Sequence, residues 1–187
     1  PLPSVAVNDP LFRNAPENNW SGQCEGLTYQ RAIIALERYG YEPLVTKLGR
    51  KLLDAIIRGG DVFTQQFDPF TGEPSRVGMV SHEVLSRDSD EPFQDSYGPT
   101  LLAALEYIAH IWGIALVGDE VWFSLGSGLS YTYAQRFGDD VYEIKSDGRS
   151  GAIYKNRIAV GSAPCGVRLV TNRDGKILRT VKIEEGV

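Results

Sequence analysis

Apolar positions follow a helical period in three stretches between residues 27 and 117 and an alternating period after Gly118. The run from Leu27 to Tyr39 predicts a helix that Gly40 ends. A second helix is predicted from Glu42 to Gly59, and a third begins at Tyr97-Gly98-Pro99, each with a proline in its first turn. Because the connection between the first two helices is short, we expect them to pack as an antiparallel hairpin.

The second and third helices carry apolar stripes at three-four spacing, which predict buried faces. The stripe of the second helix consists of Val45, Leu48, Leu52, Leu53, Ile56 and Ile57. The stripe of the third helix consists of Leu101, Leu102, Leu105, Ile108, Ile111 and Trp112. We expect residues 1–117 not to form a complete hydrophobic core of their own. The stripes therefore indicate that these helices belong to a larger helical array.

Short β-type runs replace the helical pattern from Gly118 onward. They are Val121–Phe123, Tyr131–Tyr133, Val141–Ile144, Ala152–Tyr154, Arg157–Val160, Val167–Val170 and Thr180–Ile183. Asp147-Gly148 and Asp174-Gly175 are typical of hairpin turns. The sequence therefore predicts an α+β fold. A helical part covers residues 1–117, and a small antiparallel β-sandwich or sheet covers residues 118–187.

The stretch Val62–Pro74 separates the second helix from the rest of the chain and is predicted to be neither helix nor strand. It alternates aromatic residues with amides and then turns at Asp68-Pro69 and Thr71-Gly72. Loops on a rigid scaffold often carry binding and catalysis, so we interpret this stretch as the wall of a ligand site. The following segment, 76–96, is predicted to be a surface excursion.

Composition excludes several classes of protein. The 187 residues are 42% hydrophobic and carry a net charge of −5, which fits a folded domain and not a nucleic-acid-binding footprint. No apolar run is long enough to span a membrane. Cys24, Cys165, His82 and His110 are too few and too scattered for a metal site, so we expect no metal and no cofactor. Because the chain lacks an initiator Met, we expect it to be a processed piece or a fragment.

Four motifs, taken in order, resemble the C-terminal portion of six-hairpin (α/α)6-barrel glycoside hydrolases. They are Asn18-Asn19-Trp20-Ser21-Gly22, Leu36-Glu37-Arg38-Tyr39-Gly40-Tyr41, Phe63-x-Gln65-x-Phe67-Asp68-Pro69-x-Thr71-Gly72-Glu73, and Tyr97-Gly98-Pro99. The closest pattern is that of family 63 and the mannosylglycerate-hydrolase-like group, over about residues 8–117. The resemblance implies helical hairpins of a toroid, hydrolysis of a glycosidic bond with inversion, a carbohydrate ligand, and a periplasmic or extracellular location.

Two departures from the family pattern concern catalysis. The family's general base is a Glu at the position of Gln65, and an amide cannot accept a proton usefully. The family's general acid lies in an upstream loop that this chain does not contain. The resemblance therefore implies that a second polypeptide segment supplies the first half of the barrel. Glu25 and Glu73 are the other catalytic candidates, although Glu25 also suits the positive end of a helix.

The predicted substrate-binding residues surround the same elements. They are Trp20, Asn19, Gln23, Gln65, Phe67 and Tyr97. Trp20 is either a stacking platform for a sugar or a buried residue at the start of a helix. Asp68 is a turn former or a ligand contact, and Asp95 is a helix cap or a site residue.

Three functions remain open from the sequence. The first is part of a glycoside hydrolase that cleaves an oligosaccharide. The second is a carbohydrate-binding protein without catalysis, which Gln65 favours. The third is an assembly subunit that needs a partner chain, which the apolar helix stripes favour.

Overall fold

The structure is a computed structural model that describes residues 2–15, 19–61, 63–75 and 97–185, without the side chain of Asn19. Its three α-helices are α1 (Gly26–Glu37), α2 (Glu42–Arg58) and α3 (Gly98–Trp112), and a short 3-10 helix covers Asn19–Ser21. The strands are β1 (Cys24–Glu25), β2 (Gln66–Phe67), β3 (Ile114–Val117), β4 (Glu120–Leu125), β5 (Tyr131–Phe137), β6 (Asp140–Ser146), β7 (Ser150–Lys155), β8 (Ile158–Pro164), β9 (Val167–Asn172) and β10 (Ile177–Lys182). The predicted surface excursion at 76–96, with His82 and Asp95, lies outside the described residues.

The predicted helical toroid is wrong. Across the described ranges, three helices accompany ten strands in three antiparallel sheets, so the fold is mostly β. A toroid requires one helical hairpin after another, whereas α3 leads directly into β3, inside the part predicted to be helical. The toroid came from the resemblance, and the larger helical array that the apolar stripes were taken to indicate pointed the same way.

Individual elements were predicted better than the architecture that they form. Each predicted helix is present to within a few residues, and each of the seven β-type runs lies in or overlaps a strand. Gly40 has φ 78° after the end of α1, and Tyr41 N donates to Leu36 O at 3.1 Å, so the predicted helix stop is confirmed. The predicted face of α3 is wrong in part, because its three leucines are 40–54% exposed while Ala103 and Ala104 are buried.

The described residues group into two compact units. The first contains Pro1–Ala35 and Leu48–Leu105, and the second contains Leu36–Lys47 and Glu106–Val187. The boundary predicted from sequence, between residues 117 and 118, stays a prediction.

The second unit contains two four-stranded antiparallel sheets, in the orders β10-β9-β4-β3 and β5-β6-β7-β8. Their inner faces share one core, made by Ile114, Val121, Phe123, Leu125, Tyr142, Ile144, Ile153, Cys165 and Leu169. Phe123 and Tyr142 meet edge to face across this core, with ring centroids 6.0 Å apart. Alternation along β6 places Ile144 in the core and Lys145 at the surface, which is why the period-two pattern predicted these strands.

A buried ion pair lies in the same unit. The Arg168 side chain, 2% exposed, donates from Nη2 to Glu37 Oε1 at 2.7 Å and from Nε to Ser124 Oγ at 2.9 Å. The guanidinium carbon stands 4.6 Å from the ring centroid of Trp122. His110 Nδ1 lies 2.9 Å from the same Glu37 oxygen. Because a single carboxylate oxygen serves both neighbours, we expect the three side chains to respond to substitution as one group.

Candidate functional site

The candidate site in the first unit is built on a two-strand ladder. β1 and β2 pair antiparallel, with Cys24 opposite Phe67 and Glu25 opposite Gln66. The loop then returns so that Pro74 bridges to Phe67. The prediction that Val62–Pro74 contains no strand is therefore wrong at Gln66–Phe67. This pairing brings together residues that lie about forty positions apart in the chain.

Four polar side chains are buried on and beside this ladder. They are Gln23, Glu25, Gln65 and Gln66, each at most 4% exposed. Gln65 Nε2 donates to Glu25 Oε1 at 3.2 Å. Among the described residues, the second carboxylate oxygen, Oε2 of Glu25, has no hydrogen-bond partner. A buried carboxylate oxygen without a partner destabilises the fold, and such atoms are often retained because they serve a function.

A second polar network connects Gln23 to the loop. The Ser75 hydroxyl donates to Gln23 Oε1, and Gln23 Nε2 donates to Asn14 Oδ1. Asn14 Nδ2 in turn donates to Asp68 Oδ2 at 2.7 Å. The predicted ligand contact Gln23 is thus occupied by protein groups, and it fixes the position of the loop.

Asp68 organises the turn after β2. Its Oδ1 accepts from the backbone N–H groups of Phe70 and Thr71, at 2.8 and 2.9 Å. Burial is the largest single influence on its pKa and raises it, but the hydrogen bonds from Asn14, Thr71 and Phe70 together lower the pKa below its ordinary value. The interpretation of Asp68 as a turn former is confirmed.

The turn forms one wall of a cavity of about 270 Å³. The cavity is lined by Tyr29, Lys51, Leu52, Asp54, Ala55, Arg58, Phe67, Asp68, Phe70, Thr71 and Gly72. Asp54 and Arg58 form an exposed ion pair at 2.9 Å, and Phe70 meets Phe12 edge to face at 5.9 Å. Aromatic surface beside a few polar groups is typical of a small-molecule site. The volume fits a ligand nearer the size of one sugar ring than of a long chain.

Three of the predicted site residues lie in these two neighbourhoods besides Gln23. Glu25 and Gln65 contact each other, and Phe67 lines the cavity. Glu25 and Gln65 do not line the cavity. Gln65 directly precedes β2, whose Phe67 lines the cavity, so the pair and the cavity are two neighbouring features of the first unit.

The other predicted residues lie apart from the carboxylate–amide pair. Trp20, in the 3-10 helix, is 55% exposed, so the alternative of a buried residue is wrong and stacking stays a prediction. The side chain of Asn19 is outside the described residues. Glu73 is exposed on the return of the loop. Tyr97 is half-buried, and its backbone N–H donates to Phe63 O at 2.7 Å.

The sequence reasoning missed the contribution of the helices to the cavity. Tyr29 comes from α1, and Lys51, Asp54 and Arg58 come from α2. A signal was present, since residues 51, 54, 55 and 58 follow the three-four spacing of one helix face. That face borders the apolar stripe, but its charged residues do not by themselves distinguish a cavity wall from solvent-exposed surface.

No group of three His, Cys, Asp or Glu side chains able to hold a metal ion occurs in the described part of the chain. The helices described in the structure are also too short or too polar to cross a membrane. Comparisons with protein-family models, with curated proteins and with solved structures found no match to this chain.

Proposed function

We propose that this chain is the saccharide-binding part of a glycoside hydrolase that cleaves an oligosaccharide with inversion. The observation that carries the proposal is the Glu25–Gln65 pair, in which a buried carboxylate keeps one oxygen without a partner among the described residues. The order of the sequence motifs, which resembles glycoside hydrolases, supports the same activity. The proposal concerns the activity alone and does not depend on a helical toroid.

The cavity beside Asp68 is the proposed binding position for one sugar ring. Phe70 supplies exposed aromatic surface for the apolar C–H face of a ring, beside the buried Tyr29 and Phe67 of the lining. Lys51, Asp54 and Arg58 supply donors and acceptors for hydroxyl groups.

Glu25 is the proposed general base in place of Gln65. Inverting hydrolysis requires one carboxylic acid and one carboxylate, roughly 6.5–9.5 Å apart, with the base activating a water molecule. Gln65 cannot accept the proton, whereas Glu25 lies within hydrogen-bond distance of Gln65 and has an oxygen to offer. The acid is assigned to a partner segment, as the resemblance implies, and that segment stays a prediction.

The alternative is a saccharide-binding protein without catalysis. Glu25 is 1% exposed, so no bulk water reaches it in this conformation, and this observation favours binding alone. The two functions predict the same ligand and differ only in turnover.

Calorimetry and a hydrolysis assay on one panel of neutral mono- and oligosaccharides test the proposal. We expect binding by the wild-type chain, and binding without turnover by Glu25→Gln. If the wild-type chain binds and, supplied with a partner segment carrying the acid, releases product of inverted configuration by NMR, hydrolysis is supported. Binding with no product under those conditions supports the alternative, and the absence of binding to every saccharide contradicts both.

A further inference from the structure

The outer face of the β5–β8 sheet, in the second unit, carries a trough of about 820 Å³. The pairing register defines it. Thr132 lies opposite Lys145, Lys145 opposite Ala152, and Ala152 opposite Ser162, so one row of side chains crosses all four strands. Three strand spacings of about 4.8 Å make the row about 14 Å long. The trough is therefore long enough for several linked rings.

Small residues lie at the centre of the trough. Ala152 lies at its centre, next to Gly151. A Cβ atom at Gly151 would stand 2.8 Å from Leu125 Cδ2, which belongs to the core, so the position points inward. Only backbone therefore faces the trough at Gly151, and a flat ligand can approach the sheet closely.

The lining of the trough also carries hydroxyl groups. Ser130, Thr132, Ser150 and Ser162 all line it and are exposed. Ser130 donates to Ser146 O at 3.2 Å, and this bond leaves its lone pairs accessible. Within the described residues, the hydroxyls of Thr132 and Ser162 form no hydrogen bond. They are available to donate to a ligand and to accept from it.

The two charged side chains of the trough already have partners within the protein. Lys145 Nζ lies 2.9 Å from Glu143 Oε1 and 5.1 Å from the ring centroid of Tyr154. Asp147 Oδ1 accepts from the backbone N–H groups of Arg149 and Ser150, at 2.8 and 2.7 Å. A highly anionic ligand would find no unpaired cation here, because Lys145 is already paired, and an apolar ligand would meet hydroxyls. A neutral ligand with many hydroxyl groups fits both conditions.

We propose that this trough, which we call the sheet trough, is a second binding site that holds a neutral oligosaccharide. Its lining belongs entirely to the second unit, whereas the cavity beside Asp68 belongs to the first, so the two sites are separate. The choice of a saccharide among neutral polyhydroxylated ligands rests on the proposed function. The position of the site rests only on the geometry of the sheet.

The test is an NMR titration of the full chain with neutral oligosaccharides of two to six residues. We expect shift changes in residues 130–132 and 150–164, and a separate set around residues 67–72. Ala152→Arg fills the trough, and Ser162→Arg blocks its exposed end, so either variant is expected to weaken binding at the trough about tenfold or more. Ala134→Arg is the matched control, since Ala134 is exposed on β5 outside the lining and should leave binding unchanged.

The two variants keep the proposal testable if one of them fails to fold, and thermal unfolding checks each. Shift changes in the trough that Ser162→Arg removes and Ala134→Arg keeps support the second site. An absence of trough shifts, or trough shifts that neither blocking variant alters, overturns it. Failure of the proposed function gives a different pattern, in which the shifts around residues 67–72 are absent while those of the trough persist.

Discussion

Gln65 donates its side-chain amide to Glu25, with Nε2 3.2 Å from Oε1, although forty residues separate the two in the chain. Both side chains are buried. Gln65 stands at the position where the sequence resemblance predicts a general base, and Glu25 is the acidic member of the pair.

Gln65→Glu should create a repelling pair of buried carboxylates. Two such groups at hydrogen-bond distance cannot both ionise easily, so one of them takes a raised pKa and the folded state binds a proton. The free energy of unfolding should then fall as pH rises from 5 to 8, by about 1.4 kcal/mol for each unit of raised pKa. Urea unfolding at both pH values measures the effect.

The control for this substitution is Gln135→Glu, on the partly exposed face of β5, which should change stability little at either pH. If Gln65→Glu is as stable as the wild type at pH 8, the buried Glu25–Gln65 contact is contradicted.

Arg168→Met should cost about 3–5 kcal/mol of unfolding free energy. The substitution keeps the length of the side chain but leaves the Glu37 carboxylate, 7% exposed, without its cation. Arg173→Met is the matched control, because Arg173 and its partner Asp119 are exposed and 3.7 Å apart, and such pairs contribute about 0–1 kcal/mol. Equal losses in the two variants, measured by urea unfolding at pH 7, would speak against a buried pair at Arg168.

Acid should weaken the same unit through Glu37. Burial, the largest influence, raises the pKa of Glu37, but His110 and Arg168 together lower it below its ordinary value. The folded pKa is therefore the lower one, so the stabilisation is complete above the ordinary pKa of about 4.3 and is lost as pH falls through the folded pKa.

Tryptophan fluorescence, to which Trp122 beside Arg168 contributes, can follow urea unfolding between pH 7 and pH 3. We expect a loss of stability below pH 5 in the wild type and a smaller loss in Arg168→Met, where the pKa of Glu37 is no longer held down by the guanidinium. An identical acid dependence in both proteins is the result that rejects this explanation.

Gly26→Ala should destabilise the first unit. A Cβ at Gly26 would stand 2.7 Å from Thr100 Cα, closer than real Cβ contacts come, so α1 and α3 would have to shift where they meet. Overpacking of this kind costs about 1–3 kcal/mol. Gly98→Ala is the control: nothing lies within 4 Å of its Cβ position, and thermal unfolding should show little change or a gain. If Gly26→Ala leaves the thermal stability unchanged, the close approach of Gly26 to Thr100 is contradicted.

Local patterns predicted the elements because they depend on nearby residues. Three-four spacing and the boundary residues Gly40 and Pro43 located α1 and α2, and alternation located β4 to β10. β3 was missed because Ile114–Val117 is four consecutive apolar residues directly after a helix, with no alternation to separate strand from helix.

Local sequence patterns did not predict how the helices and strands pack against one another. The Glu25–Gln65 contact depends on the pairing of two strands of two residues each, which are too short to give a periodic signal. Leu101, Leu102 and Leu105 were predicted to be buried because they belong to the apolar stripe of the third helix, yet the small Ala103 and Ala104 are buried instead. Close packing of helices selects small side chains, and a hydropathy pattern does not register this preference.

The most direct test of the central claim is calorimetric titration of a neutral saccharide panel into the chain with the sheet trough blocked by Ser162→Arg, alone and combined with Phe70→Ala or Ile57→Ala. Both side chains are about two-thirds exposed, but only Phe70 lines the cavity beside Asp68. If the cavity binds a saccharide, the titration should show an affinity that Phe70→Ala lowers about tenfold and Ile57→Ala leaves unchanged. The reason is that the loss of aromatic stacking costs about 1–2 kcal/mol. Equal affinities in all three proteins, or no binding by any of them, would contradict a saccharide site in this cavity.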